Sequence, residues 1–336
     1  MKEQESFKSM FIDTLMDIVK EKIEAAKNEE EAKNIIAHFN ELDIGQLFTD
    51  ALNEFSDGVF KNLKSTMYEE VMSFRAVEQE FLAIQEQKWS KAFTASEALY
   101  ILIYEASQNY SGYVKTLSET KIEEYKWRYM VVRQIHGRAL QEYLEVVTLM
   151  KNGFADGACA RWRSLYELSV TTSFILKYGE KVARKFYEAF DSNDRYEWAR
   201  ESGVFSDTKR YITFNDIQKN CDLNSDAWKC DYNLANQAVH ASAQGTFGRL
   251  GDMGTKNVVL VGRSDYGIEL PAELSAISII QITSMFFSMF HNADSVVEMK
   301  SIANWLDVIR EMYFKTHDEV FPDDEPLWNK PIESNR

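Results

Sequence analysis

GACARWRSLYELS, residues 157–169, is the stretch whose reading decides the fold. Small residues (Gly157, Ala158, Ala160, Ser164) alternate with large ones, and Arg163 and Glu167 stand four apart, on one face of a helix. A short turn, GFADG at 153–157, precedes it, and Tyr178-Gly179 punctuates its far end. The pattern predicts a helix over 156–178, packed as an antiparallel hairpin against another at 121–150. A second stretch, YNLANQAVHAS at 232–242, carries Tyr232, Asn236 and His240 at intervals of four, again on one face. Such groups are expensive to bury unless they pair with each other or with a ligand. An arginine, a carboxylate and a histidine from two helices are therefore expected to meet in one place.

Working outward, the rest of the chain reads as helix too. Four prolines are present, at Pro271, Pro322, Pro326 and Pro331, so nothing in the first 270 residues forces a helix to break. Residues 3–40 read as one or two amphipathic helices, with Phe7, Met10, Phe11, Leu15 and Ile18 at helical spacing. Residues 46–88 continue helically, with an interruption near Asp57-Gly58. Further helices are expected at 93–118, 180–200, 226–244, 271–292 and 294–316, and 201–225 reads as a loop with one short helix. Six of the fourteen glycines lie in 245–270, where Val258–Val261 and Ile268–Leu270 could pair as a hairpin. The predicted architecture is an all-α helical bundle with a small β-hairpin insertion near 256–270. Its expected divisions are an acidic helical N-terminal region at 1–90, a helical bundle domain at 91–320 carrying both motifs, and an irregular tail at 321–336.

The net charge of −15 argues against a protein that coats nucleic acid, because phosphate binding rests on Lys and Arg. The charge is uneven. Residues 1–90 carry 19 acidic and 10 basic side chains, whereas 121–163 carry eight basic and five acidic. That local basic region coincides with the Arg/Glu motif. Three cysteines form no CxxC pair and leave one unmatched under any disulfide scheme, so a reducing, cytoplasmic location is expected. The N-terminus lacks the apolar core of a signal peptide. The longest apolar run, Leu274–Phe290, is about one-third polar or Ser/Thr and reads as a buried core helix rather than a membrane span. No metal or cofactor is expected: Cys221, Cys230 and His240 lack zinc-site spacing, and GTFGRLGDMGTK has no strand before it.

The two motifs together resemble a bacterial helical family, domain-of-unknown-function family 5677. Its pattern is a Gly-rich turn, Arg-[Ser/Thr]-Leu-x-Glu, and a later helix ending in Val/Ile-His. Here Gly153 and Gly157, Arg163 to Glu167, and Val239-His240 occupy those positions. The resemblance spans roughly residues 125–300. The chain is also similar to HEPN-type helical bundles, many of which are metal-independent ribonucleases in toxin and phage-defence systems. That similarity implies a homodimer. It further implies an endoribonuclease in which His240 moves protons, Arg163 holds the phosphate and Glu167 orients one of them.

Substrate contacts would come from Asn236, Tyr232, Arg133 and His136, and RNA would lie along the local basic patch. A partner protein would dock on the acidic N-terminal helices. HEPN ribonucleases usually place an Arg shortly before the catalytic His, and the His240 helix has none. The one formal match is Arg310 to His317, a secondary candidate. The alternative is a non-catalytic module that binds a protein or nucleotide, with Arg163–Glu167 as an intrahelical ion pair and His240 as a structural lock.

Overall fold

The computed structural model describes residues 6–37, 44–223, 229–252 and 259–323. The chain divides into two compact units, Met1–Glu80 and Phe81–Arg336.

In the first unit α1 (Phe7–Glu24) begins where Ser6 accepts a hydrogen bond from the Ser9 amide at 3.2 Å. α2 (Glu29–Ala37) begins where Asn28 takes the Glu31 amide at 2.9 Å. Phe7 and Phe11 of α1 meet Phe48 of α3 (Ile44–Val114) edge-on, each with ring centroids 5.2 Å apart. α3 supplies residues to both units and runs without a break through Asp57-Gly58, where an interruption was expected. A side chain at Gly58 would meet nothing, so this glycine costs only backbone entropy, about 1 kcal/mol. No proline turns that cost into a break.

The second unit holds the remaining helices: α4 (Glu119–Glu124), α5 (Lys126–Lys151), α6 (Ala155–Tyr178) and α7 (Glu180–Glu188). α8 (Phe214–Asn220), α9 (Lys229–Val239), α10 (Ala243–Phe247), α11 (Glu269–Phe287) and α12 (Ala293–Val320) follow. The core lies where α5, α6 and α12 surround α11, and Trp162, Tyr143, Phe174, Phe286 and Ile279 are fully or almost fully buried there. Small residues let α6 and α11 approach closely. Trp162 Nε1 donates to Ser278 Oγ at 3.0 Å, and Ser169 Oγ donates to the Ser278 carbonyl at 3.3 Å. Glu269–Phe290 is long and apolar enough to cross a membrane, but 67% of its apolar window is buried inside the protein. The three cysteines are free: Cys159 and Cys221 are buried and Cys230 is exposed.

The α5–α6 hairpin forms as its turn residues demand. Gly153 has φ +73°, and a Cβ there would lie 2.7 Å from both the Phe81 ring and the Ser264 carbonyl. Its own carbonyl accepts the Ser264 amide at 2.9 Å, tying the glycine-rich segment to the turn.

The fold is all-α: among the described residues there is no strand. The hairpin expected near 256–270 is corrected at its second half. Ile268 precedes, and Glu269 and Leu270 open, α11. Pro271 fits that first turn because its missing N–H would have had no helical partner, and Glu269 sits at the positive end of the helix dipole. Val258 lies outside the described residues. The single helix expected at 180–200 breaks after Glu188 into two short 3₁₀ segments, Ala189–Asp191 and Glu197–Ser202. Of the expected tail at 321–336, only the first three residues are described.

Candidate functional site

α6 and α9 lie side by side, and α8 closes the same end of the unit. Between them opens a cavity of about 740 Å³ lined by Arg163, Tyr232, Asn236 and His240. The two sequence motifs thus face one space. α8 adds Phe214, Asn215, Gln218 and Lys219 to its wall, and the start of α9 adds Lys229 and Asn233. α8 is set by a reciprocal cap in which Thr213 and Asp216 each satisfy the other's backbone amide.

Arg163 is held from behind. Its Nε lies 3.2 Å from Glu167 Oε1 and 3.4 Å from Tyr232 Oη, and Tyr232 in turn donates to Glu167 Oε1 at 2.9 Å. The guanidinium also sits 5.5 Å from the Tyr232 ring centroid. Burial pushes the Tyr232 phenol up to about 12, against the opposing pull of Arg163. It therefore stays a protonated donor at neutral pH. Among the described residues neither Nη of Arg163 makes a hydrogen bond, so the planar end of the fork is available for a ligand.

Glu167 is shared. Its second oxygen accepts from Arg195 at 3.0 Å, and Arg195 stacks over Tyr196 at 5.2 Å. One carboxylate between two guanidiniums leaves the group net positive. Phe214 stacks on Tyr232 at 5.5 Å, and Tyr166 lies 5.4 Å from Tyr232. Gln218 Nε2 donates to Tyr166 Oη at 2.7 Å, which fixes one amide of the wall.

His240 stands just past the last turn of α9, its amide bonded to the Asn236 carbonyl at 3.0 Å. Its imidazole is exposed and has no hydrogen-bond partner among the described residues. α10 packs tightly behind it: a Cβ on Gly245 would fall 2.0 Å from the Gln237 carbonyl oxygen, so only glycine fits.

The other sequence candidates lie elsewhere. Arg133 is exposed on α5 and does not line the cavity. His136 is buried, stacked 4.8 Å from Phe286, with Nε2 3.1 Å from Thr283 Oγ1. Thr283 gives its own proton to the Ile279 carbonyl, so His136 carries its proton on Nε2. Burial lowers its pKa to about 4. The ring is neutral at pH 7, in no position to hold a phosphate.

A pH dependence follows from His136. The folded pKa lies below the unfolded value, so the unfolded chain binds more protons between pH 6.5 and about 4, and stability falls as pH drops through that window. The contribution is on the order of 3 kcal/mol. Urea unfolding at pH 7 and pH 5 is expected to show the loss, and His136→Gln to shrink the difference between the two. Equal slopes for both proteins would refute it.

Arg310 and His317 form two rungs between α12 and α11. Arg310 pairs with Glu273 at 2.7 Å, and His317 Nδ1 is hydrogen-bonded to Glu269, both members of that pair being fully buried. Among the described residues no group of three or more His, Cys, Asp or Glu stands where it could hold a metal ion.

Residues 129–212 match a family of unknown function, DUF5677. The DUF5677 segment runs from α5 through α6 and α7, and so contains Arg163, Glu167 and Arg195. It stops just before Thr213, leaving α8 and the His240 side of the cavity outside the match. No curated protein matches the chain, and no solved structure does.

Sequence reasoning missed Arg195, Phe214, Gln218 and Lys219. Arg195 lies in an irregular turn with no periodicity to place it. The Thr213-x-x-Asp216 cap was a legible start signal for α8, but not for which wall α8 would form.

Proposed function

We infer that this cavity binds a phosphorylated ligand of the nucleotide class, and that the second unit works as a nucleotide-binding helical module. One observation carries this reading. In a chain of net charge −15, the cavity wall holds Arg163, Lys219, Lys229 and His240 and, among the described residues, no carboxylate. A concave site lined by one sign of charge focuses its field on the opposite ion. Its volume of about 740 Å³ falls in the range of small-ligand pockets. Phe214 offers a stacking face, and Asn215, Gln218, Asn233 and Asn236 supply donors and acceptors for a base edge or ribose. Calorimetric titration with nucleoside mono- and triphosphates, the parent nucleosides and inorganic phosphate tests it. Nucleotides are expected to bind more tightly than either part alone, and less tightly as salt rises. Silence of every nucleotide at about 1 mM, a weak affinity of about −4 kcal/mol, would sink the reading.

A second reading is favoured by His240. It makes the chain a metal-independent endoribonuclease on an HEPN-like bundle, acting as a toxin or phage-defence effector. The imidazole of His240, without a hydrogen-bond partner among the described residues, shares the cavity with Arg163, the pairing of proton carrier and phosphate holder that cleavage through a ribose 2′-hydroxyl requires. RNA incubated with the protein in EDTA should then give 2′,3′-cyclic phosphate ends, and His240→Ala should lose them while staying folded. Intact RNA in the wild-type reaction leaves the binding module alone.

A further inference from the structure

A second cavity, of about 380 Å³, opens within the second unit, and among the described residues it shares no lining residue with the one around Arg163. One wall is a single face of α3: Phe81, with Ile84, Gln85 and Lys88 three, four and seven residues further on. The facing wall comes from the segment between α10 and α11 and adds Leu260, Arg263 and Asp265. That wall is fixed in place. Ser264 Oγ donates to the Gly251 carbonyl at 2.7 Å, and Arg263 Nη1 donates to the Asn152 carbonyl at 2.9 Å. The cavity is therefore preformed, and its volume falls in the range of small-ligand sites.

Its chemistry differs from that of the first cavity. The described wall sets Lys88 and Arg263 against Asp252 and Asp265, so its charges cancel and favour no ion of either sign. Lys88 Nζ donates to Asp265 Oδ2 at 2.5 Å and ties the two walls together, with the side chains 39% and 22% exposed. Among the described residues neither side chain has another partner. An ammonium carries three donors and a carboxylate two acceptor oxygens, so both keep capacity for a ligand. Gln85 is almost fully buried. Its Nε2 donates to the Met150 carbonyl at 3.3 Å, which fixes the direction of the amide, and its Oε1 has no partner among the described residues. A buried acceptor left unpaired is costly, so this position calls for a donor.

A ligand that satisfies this wall needs a carboxylate for Lys88, an N–H group for Asp265 and Gln85, and an apolar body for Phe81, Ile84 and Leu260. An α-amino acid with a branched or aromatic side chain has all three. Its ammonium and carboxylate sit on one carbon, close enough to lie head-to-tail on the Lys88–Asp265 pair without separating it. We propose that this cavity binds a free α-amino acid with an apolar side chain. The ligand carboxylate accepts from Lys88, its ammonium donates to Asp265 and Gln85, and its side chain packs among Phe81, Ile84 and Leu260.

Calorimetric titration and thermal shift of the full chain with L-leucine, L-phenylalanine, glycine, 3-methylbutylamine and 4-methylpentanoate test this. L-Leucine or L-phenylalanine is expected to bind with a Kd below about 1 mM, at least about tenfold more tightly than glycine, the amine or the acid. Lys88→Met and Asp265→Asn change partly exposed side chains, so both variants should stay folded by circular dichroism. Each should weaken amino-acid binding at least about tenfold, because each strips one pole of the ligand of its partner. Gln85→Leu should weaken it as well, with a urea melt to show that the second unit remains folded. No binding of either apolar amino acid below about 1 mM overturns the proposal, as does an affinity unchanged in both Lys88→Met and Asp265→Asn. An amine or acid that binds as tightly as the amino acid overturns the zwitterionic class.

Discussion

Arg163→Ala is expected to weaken nucleotide binding at least about 100-fold while leaving unfolding free energy within about 1 kcal/mol of wild type. The two numbers separate because the arginine is held at Nε and open at its fork. Its partner Glu167 is not stranded by the loss, since Arg195 and Tyr232 still donate to that carboxylate at 3.0 and 2.9 Å. What disappears is a preoriented planar cation facing a cavity whose described wall also carries Lys219 and Lys229. Arg163→Lys keeps the charge but loses the two-pronged donor, so binding about tenfold weaker than wild type is expected. Glu167→Gln should act differently. It leaves the cation in place but relaxes its support, and the affinity lost should return in part at low salt. Calorimetry on the three variants, beside urea melts, reads all of this. Wild-type affinity in Arg163→Ala would remove the arginine from the site and the proposed function with it.

How much of this was legible beforehand depends on which residues are asked. α6 was placed almost to the residue because Gly153 and Gly179 stand at its ends with positive φ, and glycine is the residue that signals such places. The meeting of Arg163, Tyr232 and Asn236 was legible because spacing by four survives folding: once α6 and α9 pack, one stripe faces another. His240 was read as part of that helix and lies just beyond it, yet still faces the cavity. Loop-borne groups left no such trace. Arg195 reaches Glu167 from a turn 28 residues away, a contact that tertiary packing alone creates. The hairpin reading failed for a local reason. Ile268-Glu-Leu270 has strand-like alternation, but Glu269 and Pro271 are also helix-start residues, and the long apolar run behind them decided for the helix. Gly58 failed in the opposite direction, as a turn signal overruled by helix-forming neighbours on both sides.

His317→Ala is expected to destabilise the second unit by about 3–5 kcal/mol, and Arg310→Ala by less than about 1 kcal/mol. The contrast decides what this pair on α12 does. A ribonuclease Arg/His pair would lose activity with either change and keep its fold with both. The surroundings argue otherwise. His317 is fully buried, bonded to an equally buried Glu269 and packed between the Tyr266 and Phe321 rings, at 5.9 and 5.3 Å. Removing it leaves Glu269 as a buried carboxylate without its main partner, and among the described residues Glu269 Oε2 already has none. Arg310 is 40% exposed, and its loss leaves Glu273 within reach of water. The cost should therefore lie in the stranded charge rather than in the missing imidazole. Replacing both residues, Glu269→Leu with His317→Leu, should then recover most of the stability, because an apolar pair of similar volume carries no buried charge. Urea melts of the two single variants and the double variant measure this. A double variant as unstable as His317→Ala would show that the pair contributes net attraction rather than merely avoiding a penalty.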